Sequence, residues 1–243
     1  MTRNNRPQGV MDTQFARDRQ QMPHVIYRFK TRARALANAA ARHLDPDASL
    51  NVLDFGAADG RTLLELYAVF PKWNYFGVEY SEELLQAAPV LPPSISLTRG
   101  DVMNLPDTVT QRQYDMVSAL ALLEHLPDPG KAVKEAARAL KPGGIFVATC
   151  PIPYWDKLAE RFGLIRGGFH ETDMDRSQLI NVVTDAGLEL VSYERFVWAP
   201  IGVLPNLKIP VAAGLSDWVD RMIRPLRIFD GLFVNQCIVG RKP

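Results

Sequence analysis

Three acidic residues at or shortly beyond the ends of strand-like apolar runs, and a pair of glycines beside the first of them, are the features of this 243-residue chain whose types and spacing point to ligand chemistry. Val52, Leu53 and Phe55 flank Asp54, and the run Asp54-Phe-Gly-Ala-Ala-Asp-Gly60 turns on Gly56 and Gly60. Leu63, Leu66, Tyr67 and Phe70 follow at helical spacing, and Pro71 ends the pattern. A buried strand that turns on glycines into a helix N-terminus brings backbone N–H groups to a ligand. The apolar stretch from Trp73 to Val78 ends at Glu79, and Ile95 to Leu97 is followed by Gly100-Asp101. Four histidines, His24, His43, His125 and His170, are the side chains that titrate nearest to neutral pH and so the natural general bases.

Alternating strands and helices must position these residues. Met11 to Leu44 reads as helical, interrupted at Pro23, with Ile26, Phe29, Ala33, Leu36, Ala37, Ala40 and Leu44 as its apolar stripe. Strands are expected at Val52–Asp54, Trp73–Val78, Ile95–Leu97, Tyr114–Leu120, Ile145–Cys150, Leu188–Trp198 and Leu232–Val239. Ser81 caps one intervening helix, Asp128-Pro-Gly opens another that Lys141-Pro-Gly-Gly144 closes, and Asp175 with Gln178 forms a capping box on a third. Strands alternating with helices at this spacing imply an α/β, doubly wound, seven-stranded and mostly parallel sheet. Residues 1–10 read as disordered, 11–44 as an N-terminal helical segment, and 45–243 as one domain with helical cap insertions at 151–169 and 200–231. Both insertions follow carboxyl ends of strands, where open α/β sheets bind ligands.

Composition adds limits. Cys150 and Cys237 lie in apolar runs, which suits reduced buried thiols. The polar start shows no secretory h-region, and no apolar run reaches 18 residues, so a cytoplasmic location is expected. Residues 1–42 hold nine Arg or Lys against Asp12 and Asp18, a net +7 that leaves −6 elsewhere. That basic segment reads first as a solvated helix face, and second as a surface for an anionic partner such as RNA or a phospholipid headgroup.

The glycine turn fails the dinucleotide fingerprint. Counted from Gly56, the second and third glycines would fall at Ala58 and Arg61. The blocks Asp54 to Gly60, Val78-Glu79, Gly100-Asp101-Val102, Tyr114-Asp115-Met-Val-Ser118, Leu123-Glu-His-Leu-Pro-Asp-Pro129 and Leu140-Lys-Pro-Gly-Gly144, in that order, resemble the class I S-adenosylmethionine-dependent methyltransferases, and within them the type 11 small-molecule branch. The resemblance covers roughly residues 50–190, with Ala58 in place of the family's usual third glycine. It implies the Rossmann-like methyltransferase fold and S-adenosyl-L-methionine as cofactor. By the same resemblance, Gly56, Ala57 and Gly60 bring backbone to the methionine part, and Asp54 bonds its ammonium group. Glu79 accepts both ribose hydroxyls, Tyr80 packs beside the adenine, Asp101 and the Val102 N–H bond the adenine edge, and Ala119 and Leu120 line the floor under the sulfonium.

The acceptor is less legible. No Asn/Asp-Pro-Pro-Tyr turn follows the fourth strand, which argues against amide-nitrogen chemistry. No Pro-Cys follows it either, and no acids stand there to hold a metal. His170, in Gly167-Gly-Phe-His-Glu-Thr-Asp173, is the candidate base, with Glu171, Asp173 and Tyr154 in reserve. In the 200–231 insert Trp218, Met222 and Leu226 recur every fourth residue beside Arg221, Arg224 and Arg227. The first reading of that stripe is a cap helix packed inward; the others are a lipophilic acceptor pocket, a weak membrane-surface contact, or a homodimer contact. The expected function is O-methylation of a small, lipophilic or sugar-containing metabolite. The alternatives are an RNA or tRNA methyltransferase using the basic arm, with nucleic acid the less favoured partner, and a non-catalytic S-adenosylmethionine-binding protein.

Overall fold

The computed structural model describes residue 11 and residues 13–161 and 171–243. The segment 1–10 expected to be disordered, much of the first cap insertion, and His170 lie outside the described residues.

Seven strands form one sheet in the order β3-β2-β1-β4-β5-β7-β6. They are β1 (Asn51–Phe55), β2 (Asn74–Glu79), β3 (Ile95–Arg99), β4 (Tyr114–Leu120), β5 (Leu140–Pro151), β6 (Glu189–Trp198) and β7 (Phe233–Arg241). Strands β1 to β5 pair in parallel, while β7 runs antiparallel between β5 and β6. The mostly parallel sheet is as expected. Strand β5 starts earlier than the turn at Lys141–Gly144 suggested, because the Gly143 N–H donates to the Lys242 carbonyl and the Lys242 N–H returns to Gly144, at 2.8 and 2.9 Å.

Both faces of the central strands are buried, and successive residues divide between them. Leu53, Val117, Phe146 and Ala148 face the helices Pro129–Ala139 and Arg176–Asp185, meeting Ala132, Val133, Leu179 and Val183. Val52, Met116, Ile145 and Val147 face α2 (Pro23–His43) and α3 (Arg61–Val69), meeting Leu36, Ala40, Leu63 and Leu66. Each fully buried Leu, Ile or Phe among them contributes about 1.5–3 kcal/mol. The helix ends obey their caps: the Asp128 carboxylate accepts the Lys131 N–H at 2.9 Å, and Asp175 and Gln178 close the expected capping box.

The N-terminal segment divides at Pro23 into α1 (Thr13–Gln21) and α2. Helix α1 lies over the turn after β1: Ala16 packs on Ala58 and on Leu84 of the short helix α4 (Glu82–Gln86). Of the two segments expected as caps, 151–169 contributes a helix over Pro153–Arg161, and 200–231 forms a helix over Ala213–Ile223 flanked by short helical turns.

The 213–223 helix corrects the expected orientation. It turns Ser216 and Asp220 inward, not the Trp218 stripe. The Ser216 hydroxyl is 2.8 Å from the Tyr27 hydroxyl, and the Asp220 carboxylate accepts the N–H groups of Val197 and Trp198 at 2.6 and 2.9 Å. Val197 has φ +61°, strained for a β-branched residue, and Asp220 satisfies the N–H groups that this kink turns out of the ladder. Trp218 is 56% exposed, and Leu215, Met222, Leu226 and Ile228 are exposed with it.

Candidate active site

The carboxyl ends of β1 and β2 bring Asp54 and Glu79 together under the glycine turn. Gly56, Ala58 and Gly60 have φ of +67°, +51° and +76°, so the turn depends on three left-handed residues in five. Its N–H groups are largely spent internally: those of Gly56 and Ala57 donate to the Val78 carbonyl at 2.9 and 3.2 Å, and that of Gly60 to Ala57 at 2.9 Å. The expectation that these residues offer their N–H groups to a ligand is therefore corrected. What the turn offers is close backbone approach, with the first turn of α3 beside it. Gly77 makes the packing beneath possible, since a Cβ there would stand 2.5 Å from both Ala57 Cβ and Leu97 Cδ2.

Glu79 is buried and holds the turn itself. Its Oε2 accepts the Ala58 N–H at 2.9 Å and its Oε1 accepts the Ser81 N–H at 2.8 Å. Burial raises its pKa, and those backbone donors oppose the shift. Asp54 faces Ser118 across the parallel β1–β4 register, and the Ser118 hydroxyl donates to its Oδ1 at 2.7 Å. Burial pushes the Asp54 carboxyl up to about 7, against that hydrogen bond.

The other expected contacts sit along the same rim. Tyr80 is exposed just past β2. The Asp101 Oδ1 accepts the Met103 N–H at 2.8 Å, an Asx-type turn that fixes the backbone after β3, and Val102 is buried beneath. Ala119 is buried and Leu120 half-buried at the end of β4, where Ala121 takes φ +50°.

One residue escaped the sequence reading. Arg19, counted there with the solvated basic face, is 7% exposed. Its Nη2 donates to Thr62 Oγ1 at 3.1 Å in the first turn of α3, and its Nε lies 3.3 Å from the Asp59 carboxylate. Burial lowers its pKa, with Asp59, Asp54 and Glu79 opposing. A basic residue in a polar nine-residue helix carries no sequence signal of burial; only the fold of α1 over Ala58 reveals it.

On the acceptor side, Glu124 is buried beyond β4, and its charge adds to burial in pushing up the Cys150 thiol. The Glu124 carbonyl accepts the N–H groups of Glu171 and Thr172 at 2.9 and 3.2 Å, tying the chain after residue 170 to the end of β4. Asp173 pairs with Lys157 at 2.5 Å, and Tyr154 is exposed. Cys150 and Cys237 are free and buried, and burial pushes both thiols up, which suits core packing rather than nucleophilic chemistry. Among the described residues no cluster of His, Cys, Asp and Glu could hold a metal ion. A cavity of about 310 Å³ lies away from this rim, between α2, β6 and the 213–223 helix. Its arginines are already paired, Arg42 and Arg224 with Glu194, and Arg34 and Arg221 with Asp217.

Comparison with known proteins fits this geometry. The family described as "Methyltransferase domain" matches residues 19–193. The chain is 35% identical over 89 residues to a ubiquinone biosynthesis O-methyltransferase of Hydrogenovibrio crunogenus, covering 33% of this chain and 37% of the relative. It is 24% identical over 198 residues to a demethylmenaquinone methyltransferase of Desulfitobacterium hafniense, covering 70% of this chain and 78% of the relative. The first curated relatives it matches are covered over only 36%, 47% and 37% of their own length. Its fold resembles that of the putative methyltransferase solved with the Haloferax volcanii Trm112 methyltransferase activator, with TM-score 0.65 and 23% identity over 95% of each chain. Because the matched family spans most of the chain, and with it the glycine turn and both strand-end acids, the chain belongs to the methyltransferase-domain family.

Proposed function

We propose that the protein transfers the methyl group of S-adenosylmethionine to an oxygen of a small lipophilic or sugar-containing molecule. The observation that carries the cofactor side is the pairing of two buried carboxylates, Asp54 and Glu79, at the ends of neighbouring strands under one glycine turn. Asp54 receives the ammonium of the methionine part, and Glu79 the ribose hydroxyls while it still holds Ala58 and Ser81. Gly56, Ala57 and Gly60 set the backbone against the methionine part. Tyr80, Asp101 and Val102 form the adenine rim, and Ala119 and Leu120 the floor. The cofactor supplies the electrophilic methyl; the chain's task is to align the nucleophile and shield it from water.

His170 is the proposed base or acceptor contact. Support comes from its successor, since the Glu171 N–H is fixed to Glu124 at the end of β4. The acceptor class draws support from the exposed stripe of Leu215, Trp218 and Met222, and from the same insert's Ile228, 85% exposed, and its exposed Lys208, Arg221 and Arg227. That pattern suits a weak contact with an anionic bilayer surface from which a lipophilic acceptor is drawn. The quinone-related names of the two relatives agree with such an acceptor. The RNA reading loses ground because the basic segment is less free than its composition suggests: Arg19 is buried, and Lys30, Arg34 and Arg42 pair with Glu65, Asp217 and Glu194. Cytoplasmic placement suits the two free thiols, and no helix among the described residues is long and apolar enough to cross a membrane.

The test is transfer of labelled methyl from S-adenosylmethionine into fractionated cell extract. Label in the lipid or small polar pool supports the proposal; label confined to the RNA pool overturns it.

A further inference from the structure

We propose that Arg19 is the receptor for the carboxylate of the methionine part of the cofactor, so that α1 forms one wall of the cofactor cleft. The inference rests on the reading of the cleft given above.

Arg19 is nine-tenths buried, yet its charge is not fully matched. Asp59, its nearest carboxylate, is shared with a second guanidinium: Arg61 Nε donates to Asp59 Oδ2 at 3.0 Å, and the Arg61 N–H approaches Oδ1 at 3.4 Å. Arg19 Nε stands 3.3 Å from the same Oδ1 without hydrogen-bond geometry, and is a buried nitrogen with no hydrogen-bond partner. Asp59 thus serves two guanidiniums, and the buried Arg19 Nε is left as a donor without an acceptor, a place that an added anionic oxygen would satisfy.

The surroundings say which one. The guanidinium is held by aromatic rings, 4.9 Å from the Phe29 centroid and 5.7 Å from that of Phe15, so its plane is set in advance. It touches Thr62 in the first turn of α3, a nine-residue helix whose N-terminal dipole favours negative charge. Its helix packs through Ala16 on Ala58, inside the glycine turn. Its charge also acts on Asp54, the proposed ammonium partner. A planar two-oxygen anion matches a guanidinium fork, and the zwitterionic end of an amino acid places a carboxylate beside its ammonium. Arg19 and Asp54 therefore read the two charges of one amino-acid group.

The test compares three ligands by calorimetry on the full chain: S-adenosylhomocysteine, its decarboxylated analogue, and 5′-methylthioadenosine, which lacks the amino-acid end. With wild type, removal of the carboxylate is expected to weaken binding at least tenfold. With Arg19→Met, the first two ligands are expected to bind alike, and methylthioadenosine within twofold of wild type; Arg19→Lys should recover part of the difference. Equal weakening of all three ligands in Arg19→Met, or a carboxylate effect as large there as in wild type, overturns the proposal. If Arg19→Met does not fold, equal affinity of wild type for the first two ligands overturns it equally. Failure of wild type to bind any of the three overturns the cleft reading itself, a distinct result.

Discussion

Ser118 on β4 donates its hydroxyl to Asp54 on β1 at 2.7 Å, between residues that face each other across the parallel register. The bond favours the ionised carboxyl, burial disfavours it, and burial wins, placing the titration at about 7. Only the anion can receive an ammonium group. Affinity for S-adenosylhomocysteine is therefore expected to rise with pH through about 7. Calorimetry across that range should show the rise in wild type, a rise moved to higher pH in Ser118→Ala, and weak pH-independent binding in Asp54→Asn.

The same shift governs the ligand-free protein. The folded carboxyl binds its proton more tightly than the unfolded one, whose value is 3.8, so its stabilising effect is full below about pH 4 and is lost as pH rises to about 7. Asp54→Asn removes the unfavourable buried charge. Without ligand at pH 8 it should be more stable than wild type by roughly 1–3 kcal/mol, read by urea denaturation.

Glu79 serves the turn and the ligand at once. Glu79→Gln can accept only one of the two N–H groups from Ala58 and Ser81 while keeping size. The expected result is a loss of about 1–3 kcal/mol in stability and of ten- to a hundredfold in S-adenosylhomocysteine affinity. Denaturation and calorimetry on the same preparation separate the two effects.

Gly77→Ala tests the layer beneath. The added methyl collides with Ala57 Cβ and Leu97 Cδ2 at 2.5 Å, so the turn must shift. Destabilisation of about 1–3 kcal/mol is expected together with weakened cofactor binding. Gly143→Ala, at φ +78° with open space around it, should cost only about 1 kcal/mol and leave binding unchanged.

The two faces of the 213–223 helix should respond oppositely. Asp220→Ala strands the N–H groups of Val197 and Trp198 and should cost about 2–4 kcal/mol. Trp218→Ser should change stability by less than about 0.5 kcal/mol, since its ring is largely in solvent. In flotation assays wild type should bind anionic vesicles more than neutral ones and Trp218→Ser should not; no binding by wild type would remove the bilayer contact.

How much of this was legible depends on the kind of signal. Asp54 and Glu79 stand at the ends of apolar runs such as Val52–Phe55 and Tyr75–Val78, and buried parallel strands announce themselves that way. The glycine turn was legible as a turn, but not that Val78 would consume its N–H groups, because that depends on how β2 sits beside β1. Arg19 was invisible, since nothing local marks a helical arginine as buried. The 213–223 helix misled for a related reason. Its apolar spacing named Trp218 and Met222 as the inner face, whereas the strained Val197 backbone required Asp220 there.

The most direct measurement is titration of the full chain with S-adenosylhomocysteine at pH 8, beside Glu79→Ala and with NADH as the competing ligand. One binding event per chain in wild type, lost in Glu79→Ala and absent with NADH, is the expected result. Binding of NADH without S-adenosylhomocysteine, or S-adenosylhomocysteine binding unchanged in a folded Glu79→Ala, would contradict it.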